Sequence, residues 1–146
     1  MADLYITDEK GRNVYYVHKM NMPSSSEIRT VKYDFGASGY VMAFVAKDCL
    51  SALGYKDKET NNPLYEYVSP INIINGKDTE ANVYIQIDEY NVEPAVLITL
   101  SGFFELVMKS NTTEALIFQH WVNNEVLPAL YGYNVAINIH HNGGKV

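Results

Sequence analysis

From Ala95 onward the chain passes from a short, continuously apolar run (Ala95 to Thr99) straight into two segments of helical spacing. The apolar run reads as a strand. The stretch from Ser101 to Pro128 reads as two short helices hinged at Asn111-Thr112-Thr113. Asn111 with Glu114 three residues on fits a capping-box start for the second helix, and Thr112 is an equally fair cap. Ala115, Phe118, Trp121, Val122 and Val126 form one stripe of that helix. Such a stripe has to be laid on a core, so the rest of the chain must supply a scaffold.

The preceding residues supply it as strands. Leu4-Tyr5-Ile6 and Val14-Tyr15-Tyr16-Val17 flank Asp8-Glu9-Lys10-Gly11, a strand–turn–strand pattern. Ile28 to Phe35 alternates apolar and polar residues, and Gly36 to Gly39 turns the chain into Tyr40-Val41-Met42-Ala43-Phe44, a second hairpin. At Ala46 the spacing becomes helical through Leu53, with Cys49, Leu50 and Leu53 on one face and Gly54 just past the end. Asn62-Pro63 opens a brief helix to Tyr67. Val83, Ile85 and Ile87 alternate with Tyr84, Gln86 and Asp88 as a half-buried strand, and Val135, Ile137 and Ile139 suggest a last strand before a free tail with His140 and His141. The expectation is a single α+β domain over residues 1–146, with antiparallel hairpins and a C-terminal pair of short helices.

A chain of 146 residues can bury an ordinary core. No apolar run is long enough to span a bilayer, and Met1 to Asp8 lacks the basic and apolar regions of a secretory signal. One cysteine, Cys49, excludes an internal disulfide and fits a reducing cytoplasm. The net charge of -6 is uneven: up to Lys58 there are 8 basic and 7 acidic residues, and after it 3 basic and 10 acidic. The second half therefore carries no basic stripe of the kind that neutralises duplex phosphates.

Two segments, taken together, give the chain a resemblance. The first is Phe44-Val45-Ala46-Lys47-Asp48-Cys49-Leu50-Ser51-Ala52-Leu53-Gly54-Tyr55, a strand entering Val-Ala-Lys-Asp and closing on Leu-Gly-Tyr. The second is Ser101-Gly102-Phe103-Phe104, then Lys109-Ser110, then Trp121-Val122 and Glu125-Val126-Leu127-Pro128. At this order and spacing, over roughly Tyr40 to Leu130, the chain resembles the BRO-N family, the N-terminal domain of phage antirepressors and baculovirus repeated-ORF proteins. The resemblance implies a small α+β module associated with DNA binding and regulation in viruses and prophages, often followed by a second domain. Several basic positions of the family differ here. Glu105 stands where arginine is usual, Asn111 and Thr112 replace a basic pair, and Gln119-His120 replaces Arg-Arg before the tryptophan.

Two readings of function follow. As a DNA-binding, antirepressor-type regulator, the chain would contact phosphates through Lys47, Lys56, Lys58, Lys109 and His120. As a protein-binding inhibitor capturing a host or phage regulator or a defence protein, it would use Glu105, Gln119, Tyr65, Tyr67 and Tyr84; tyrosine is enriched at interfaces. Self-association is compatible with both. Trp121 is read as core rather than as a base-stacking platform, Asp48 as favouring the helix N-terminus and Lys47 as solvated. Cys49 is read as a buried thiol, and His18, His120, His140 and His141 have no metal-ligand spacing. No catalytic constellation or cofactor motif is present in the sequence, so an enzyme is not expected.

Overall fold

A five-stranded sheet with apolar residues on both faces organises the chain. The computed structural model describes residues 4–22, 26–34, 39–55, 61–75, 82–129 and Gly132. The strands are β1 (Tyr5–Thr7), β2 (Asn13–Tyr15), β3 (His18–Asn21), β4 (Glu27–Asp34), β5 (Tyr40–Val45), β6 (Ile73–Asn75), β7 (Val83–Gln86), β8 (Val92–Pro94) and β9 (Val96–Thr99). The helices are α1 (Ala46–Ala52), α2 (Asn61–Tyr67), α3 (Leu100–Lys109) and α4 (Thr113–Trp121), with a short 3-10 turn at Pro70–Asn72 and a π turn at Val122–Val126. The expected C-terminal strand and tail, including His140 and His141, lie outside the described residues.

The middle sheet runs β3-β4-β5-β9-β6, antiparallel throughout. Successive side chains point to opposite faces. Ile28, Phe44 and Ile98 therefore meet Leu50, Leu53, Leu64, Phe103, Leu106 and Phe118 of the helices. Val31, Ala43, Val45 and Leu97 meet Tyr15, Val83 and Ile85 of a second sheet, ordered β1-β2-β7-β8. The result is three layers: helices, sheet, sheet. Burial on both faces is why Ala43 to Ala46 and Ala95 to Ile98 read as unbroken apolar runs.

The two expected hairpins form, as β1–β2 and β4–β5. Three features depart from the expectation. The strand foreseen through Val17 ends at Tyr15, because the chain leaves one sheet there and enters the other as β3 at His18. The short strands β3, β6 and β8 carry too few residues for a period-2 pattern. β2 and β7 pair in parallel, which requires a long crossover, and β3 to β6 with α1 and α2 fill it.

Local chemistry sets the helix ends. Gly54 ends α1 at φ +86°, a conformation that favours glycine. Its N–H donates to Ser51 O at 3.0 Å, and Tyr55 N–H to Leu50 O at 3.0 Å, the paired bonds of a Schellman stop. Thr112, rather than Asn111, caps α4: its Oγ1 accepts from Ala115 N at 3.1 Å and donates to Leu53 O at 2.6 Å. The Tyr55 hydroxyl donates to Ser110 Oγ at 2.7 Å. Leu-Gly-Tyr and the helix hinge, distant in sequence, are thus one clip.

The stripe of α4 is narrower than its sequence suggests. Ala115, Phe118 and Val122 are buried, whereas Trp121 and Val126 are half-buried and Leu127 is exposed. Trp121 stands one position off the i, i+3, i+7 row that faces Phe103, and the wider π turn that follows rotates the next residues. Trp121 is a margin residue, which corrects its reading as core.

Phe118→Ala should cost about 3–5 kcal/mol and Trp121→Ala roughly 1–2 kcal/mol, measured by urea unfolding. Equal losses would place the tryptophan back in the core. Gly54→Ala should also destabilise, because its Cβ would meet the Glu114 carboxylate as well as the strained φ.

Candidate interaction surface

The polar positions of the helix pair are largely committed within the chain. α3 begins at Thr99, whose Oγ1 accepts from Gly102 N at 3.1 Å and donates to Asn72 Oδ1 at 2.8 Å. Asn72 Nδ2 in turn donates to Glu105 Oε1 at 2.6 Å. Ser69 gives the same carboxylate its N–H at 3.1 Å and its hydroxyl at 2.6 Å. Lys109, one turn on, lies 3.7 Å from Glu105 and donates to Tyr67 O at 3.1 Å. Gly102 makes the approach possible: a Cβ there would stand 3.0 Å from Asn72 Cβ and 3.1 Å from Val68 Cγ1. These bonds staple α3 to the end of α2 and the 3-10 turn.

Glu105 is thus an acceptor facing three donors. The hydroxyl and N–H of Ser69 and the amide of Asn72, helped by Lys109, pull its carboxyl down to about 2. Arginine at this position would set a cation against the same donors. Gln119 is similarly occupied: its Nε2 donates to Val107 O at 2.9 Å and Ser110 O at 3.1 Å, satisfying carbonyls left open at the end of α3. Glu105 and Gln119, two of the positions at which the resemblance leads one to expect arginine, therefore hold the helices together.

The other candidates are dispersed. Lys47 is exposed at the start of α1, and His120 is exposed on α4, its Nδ1 3.1 Å from Asn124 Nδ2. Tyr65 projects from α2 while Tyr67 is half-buried beside it. Tyr84 is on β7 in the other sheet, under the Arg12 guanidinium at 5.4 Å. Lys56 and Lys58 lie outside the described residues. The structure brings Glu105, Lys109 and Tyr67 together and leaves Lys47, His120 and Tyr84 apart.

Sequence reasoning missed Ser69, Asn72 and Arg29, which carry no local pattern. Arg29 meets Asp48 through Nε at 2.8 Å and Nη2 at 2.9 Å, and its backbone N–H adds a third bond at 2.8 Å. Asp48 therefore locks α1 to β4 in addition to sitting at a helix N-terminus. Cys49 is fully buried, and burial pushes its thiol well above the ordinary range. Among the described residues no group of three His, Cys, Asp or Glu side chains could hold a metal ion, and no helix is long and apolar enough to cross a membrane.

An α+β module with a clipped helix pair over a doubly covered sheet is the class of protein these features define. The family model for the BRO family, N-terminal domain, matches residues 27–128, and the chain belongs to that family. It is similar to the uncharacterized Bro-N domain-containing protein ORF2 of Autographa californica nuclear polyhedrosis virus, 36% identical over 91 residues, which cover 58% of this chain and 28% of that protein. The chain thus spans less than a third of that relative's length. No solved structure matches the chain.

Because the folded Glu105 titrates far below its unfolded value near 4.5, its contribution is complete above that value and is lost as pH falls toward about 2. Glu105→Gln should lower the urea midpoint at pH 7, and the gap from wild type should close by pH 2. A gap independent of pH would show that the staple does not depend on charge.

Proposed function

We propose that this chain is an antirepressor-type transcription regulator that reaches DNA through the β4–β5 ribbon rather than through the helix pair. The observation that carries the reading is a cation and an aromatic ring on one face of that ribbon. Lys32 pairs with Met42 and Asp34 with Tyr40, so these side chains share a face. Lys32 Nζ stands 5.2 Å from the centre of the Tyr40 ring, and Tyr40 and Met42 are about half exposed. Ribbons of two strands can enter a groove of DNA, and exposed aromatic rings stack on bases. Lys47 adds an exposed cation at the end of β5. Membership of the BRO family supports a regulatory role.

Fluorescence anisotropy with a labelled duplex across a salt series tests this. Lys32→Glu combined with Lys47→Glu should weaken binding about tenfold or more and flatten the salt slope by about 1.8, two phosphate contacts' worth. Lys109→Ala, whose lysine is engaged with Glu105 and Tyr67, should change little. No duplex binding at low salt would refute the reading.

One observation favours a second reading, capture of a host or phage regulator or defence protein. Between Ser110 and Pro128 there is no lysine or arginine, while Leu116 is 56% and Ile117 45% exposed on α4 and Glu125 is exposed beyond them. An apolar, acidic helix face complements the basic nucleic-acid-binding surface of a partner and could compete for it. Cross-linking in host lysate should give a partner that binds nucleic acid and is lost on Leu116→Glu with Ile117→Glu. A partner retained by that variant would remove α4 from the interaction.

A further inference from the structure

The four-stranded sheet has one face on the middle sheet and another turned outward. Tyr5, Tyr15 and Ile85 are paired across β1, β2 and β7 and point inward; Ile6, Val14 and Tyr84 form the adjacent row and point outward. β2 and β7 are parallel, so their carboxyl ends lie side by side. There the chains part, β2 turning through Tyr16 and Val17 toward β3 and β7 entering the turn at Asp88. Divergence at the carboxyl ends of neighbouring parallel strands leaves a crevice suited to ligands.

The crevice is an open concavity of about 340 Å³. Val14 and Tyr15 line it and are buried, Ile6, Tyr16 and Ile87 line it half exposed, and Asp88 stands beside them. Among the described residues no lysine or arginine lines it. The Asp88 carboxylate accepts from the backbone N–H of Tyr90 and Asn91 at 2.9 Å and from the Asn91 amide at 2.8 Å, which fixes its position. Those bonds also keep its carboxyl below the ordinary value, so its charge persists into mild acid. Glu89 follows it, exposed. An apolar hollow with a fixed anionic lip repels phosphate and selects a side chain flanked by cations. Among the described residues β1 is the edge of this sheet, so an extended segment can align alongside it. Ile6, Val14, Tyr15 and Tyr16 all precede the span matched by the family model, so most of the hollow is built from residues outside that span.

We propose that this concavity seats an aliphatic or aromatic side chain from a basic, extended segment of a partner protein, with the neighbouring lysine or arginine at Asp88 and Glu89. The inference rests on the protein-capture reading and assigns that reading a second contact, separate from α4. A second copy of this chain is a poorer occupant, since the net charge of -6 sets like charges against each other.

The test uses the whole chain and a fluorescein-labelled peptide, Gly-Arg-Leu-Arg-Phe-Arg-Gly, with a control in which glutamine replaces each arginine. The arginine peptide should bind and the glutamine peptide should bind about tenfold more weakly or not at all. Ile6→Lys with Ile87→Lys, both at exposed positions, should weaken binding about tenfold. Asp88→Asn retains an oxygen for the turn and removes the charge; it should weaken binding and flatten its salt dependence. Leu116→Glu with Ile117→Glu should leave peptide affinity unchanged, while unchanged melting temperatures confirm that each variant folds. Failure to bind, equal affinity for both peptides, or loss through the α4 variant in place of the groove variants would overturn the proposal. So would a dimer in sedimentation that Ile6→Lys with Ile87→Lys dissolves. If the groove fails while the α4 variant still abolishes partner capture in lysate, only this inference falls; if both fail, the capture reading falls with it.

Discussion

Burial of the middle sheet on both faces is the constraint from which the rest of the structure follows. Ile28, Phe44 and Ile98 are sealed by helices, while Val31, Ala43, Val45 and Leu97 are sealed by the second sheet. Neither covering layer can be removed without exposing apolar surface worth roughly 25 cal/mol per Å². The short strands of the outer sheet and the brief helices α1 and α2 have little independent stability. They persist because each closes one side of the same sheet. Arg29, clasping Asp48, ties the first helix to β4 of that sheet.

The helix pair gains its fixed geometry from polar bonds placed where its apolar contacts end. Phe103 meets Phe44 and Phe118 at ring separations of 5.3 and 6.0 Å, which sets how deeply the pair sits. Orientation comes from the margin: Glu105 on Ser69 and Asn72, Gln119 on the end of α3, Thr112 on Leu53, and Tyr55 on Ser110. A charge-altered surface is therefore only part of what distinguishes this chain. Glu105 and Gln119 are used as internal acceptor and donor, so their non-basic character has a structural counterpart. What α4 presents outward is set by Leu116, Ile117 and His120 instead.

Much of the fold was legible because periodicity reports which face is buried. The hairpins β1–β2 and β4–β5, the stop at Gly54 and the two C-terminal helices each left a local signature. Trp121 misled because an apolar stripe in sequence is wider than the row that packs: Ala115, Phe118 and Val122 are buried, and Trp121 lies one position off that row. The parallel pairing of β2 with β7 and the strands β3, β6 and β8 were not legible, since pairing direction leaves no local signal and these three strands show no apolar–polar alternation beyond their ends. The site was less legible still. Ser69, Asn72 and Arg29 are ordinary surface types in sequence, and only their partners make them important.

The sequence by itself determined the composition of the core, the family and the uneven charge, because these depend on residue types and on short-range spacing. The tertiary structure alone decided which polar groups are free to meet a partner. It turned Glu105, Gln119 and Lys109 into fastenings, left Lys32, Tyr40, Leu116 and Ile117 outward, and opened a hollow where β2 and β7 diverge. The physical reason is that a side chain's availability depends on donors and acceptors brought within about 3 Å by folding. Ser69 and Asn72 are more than thirty residues from Glu105 in the chain.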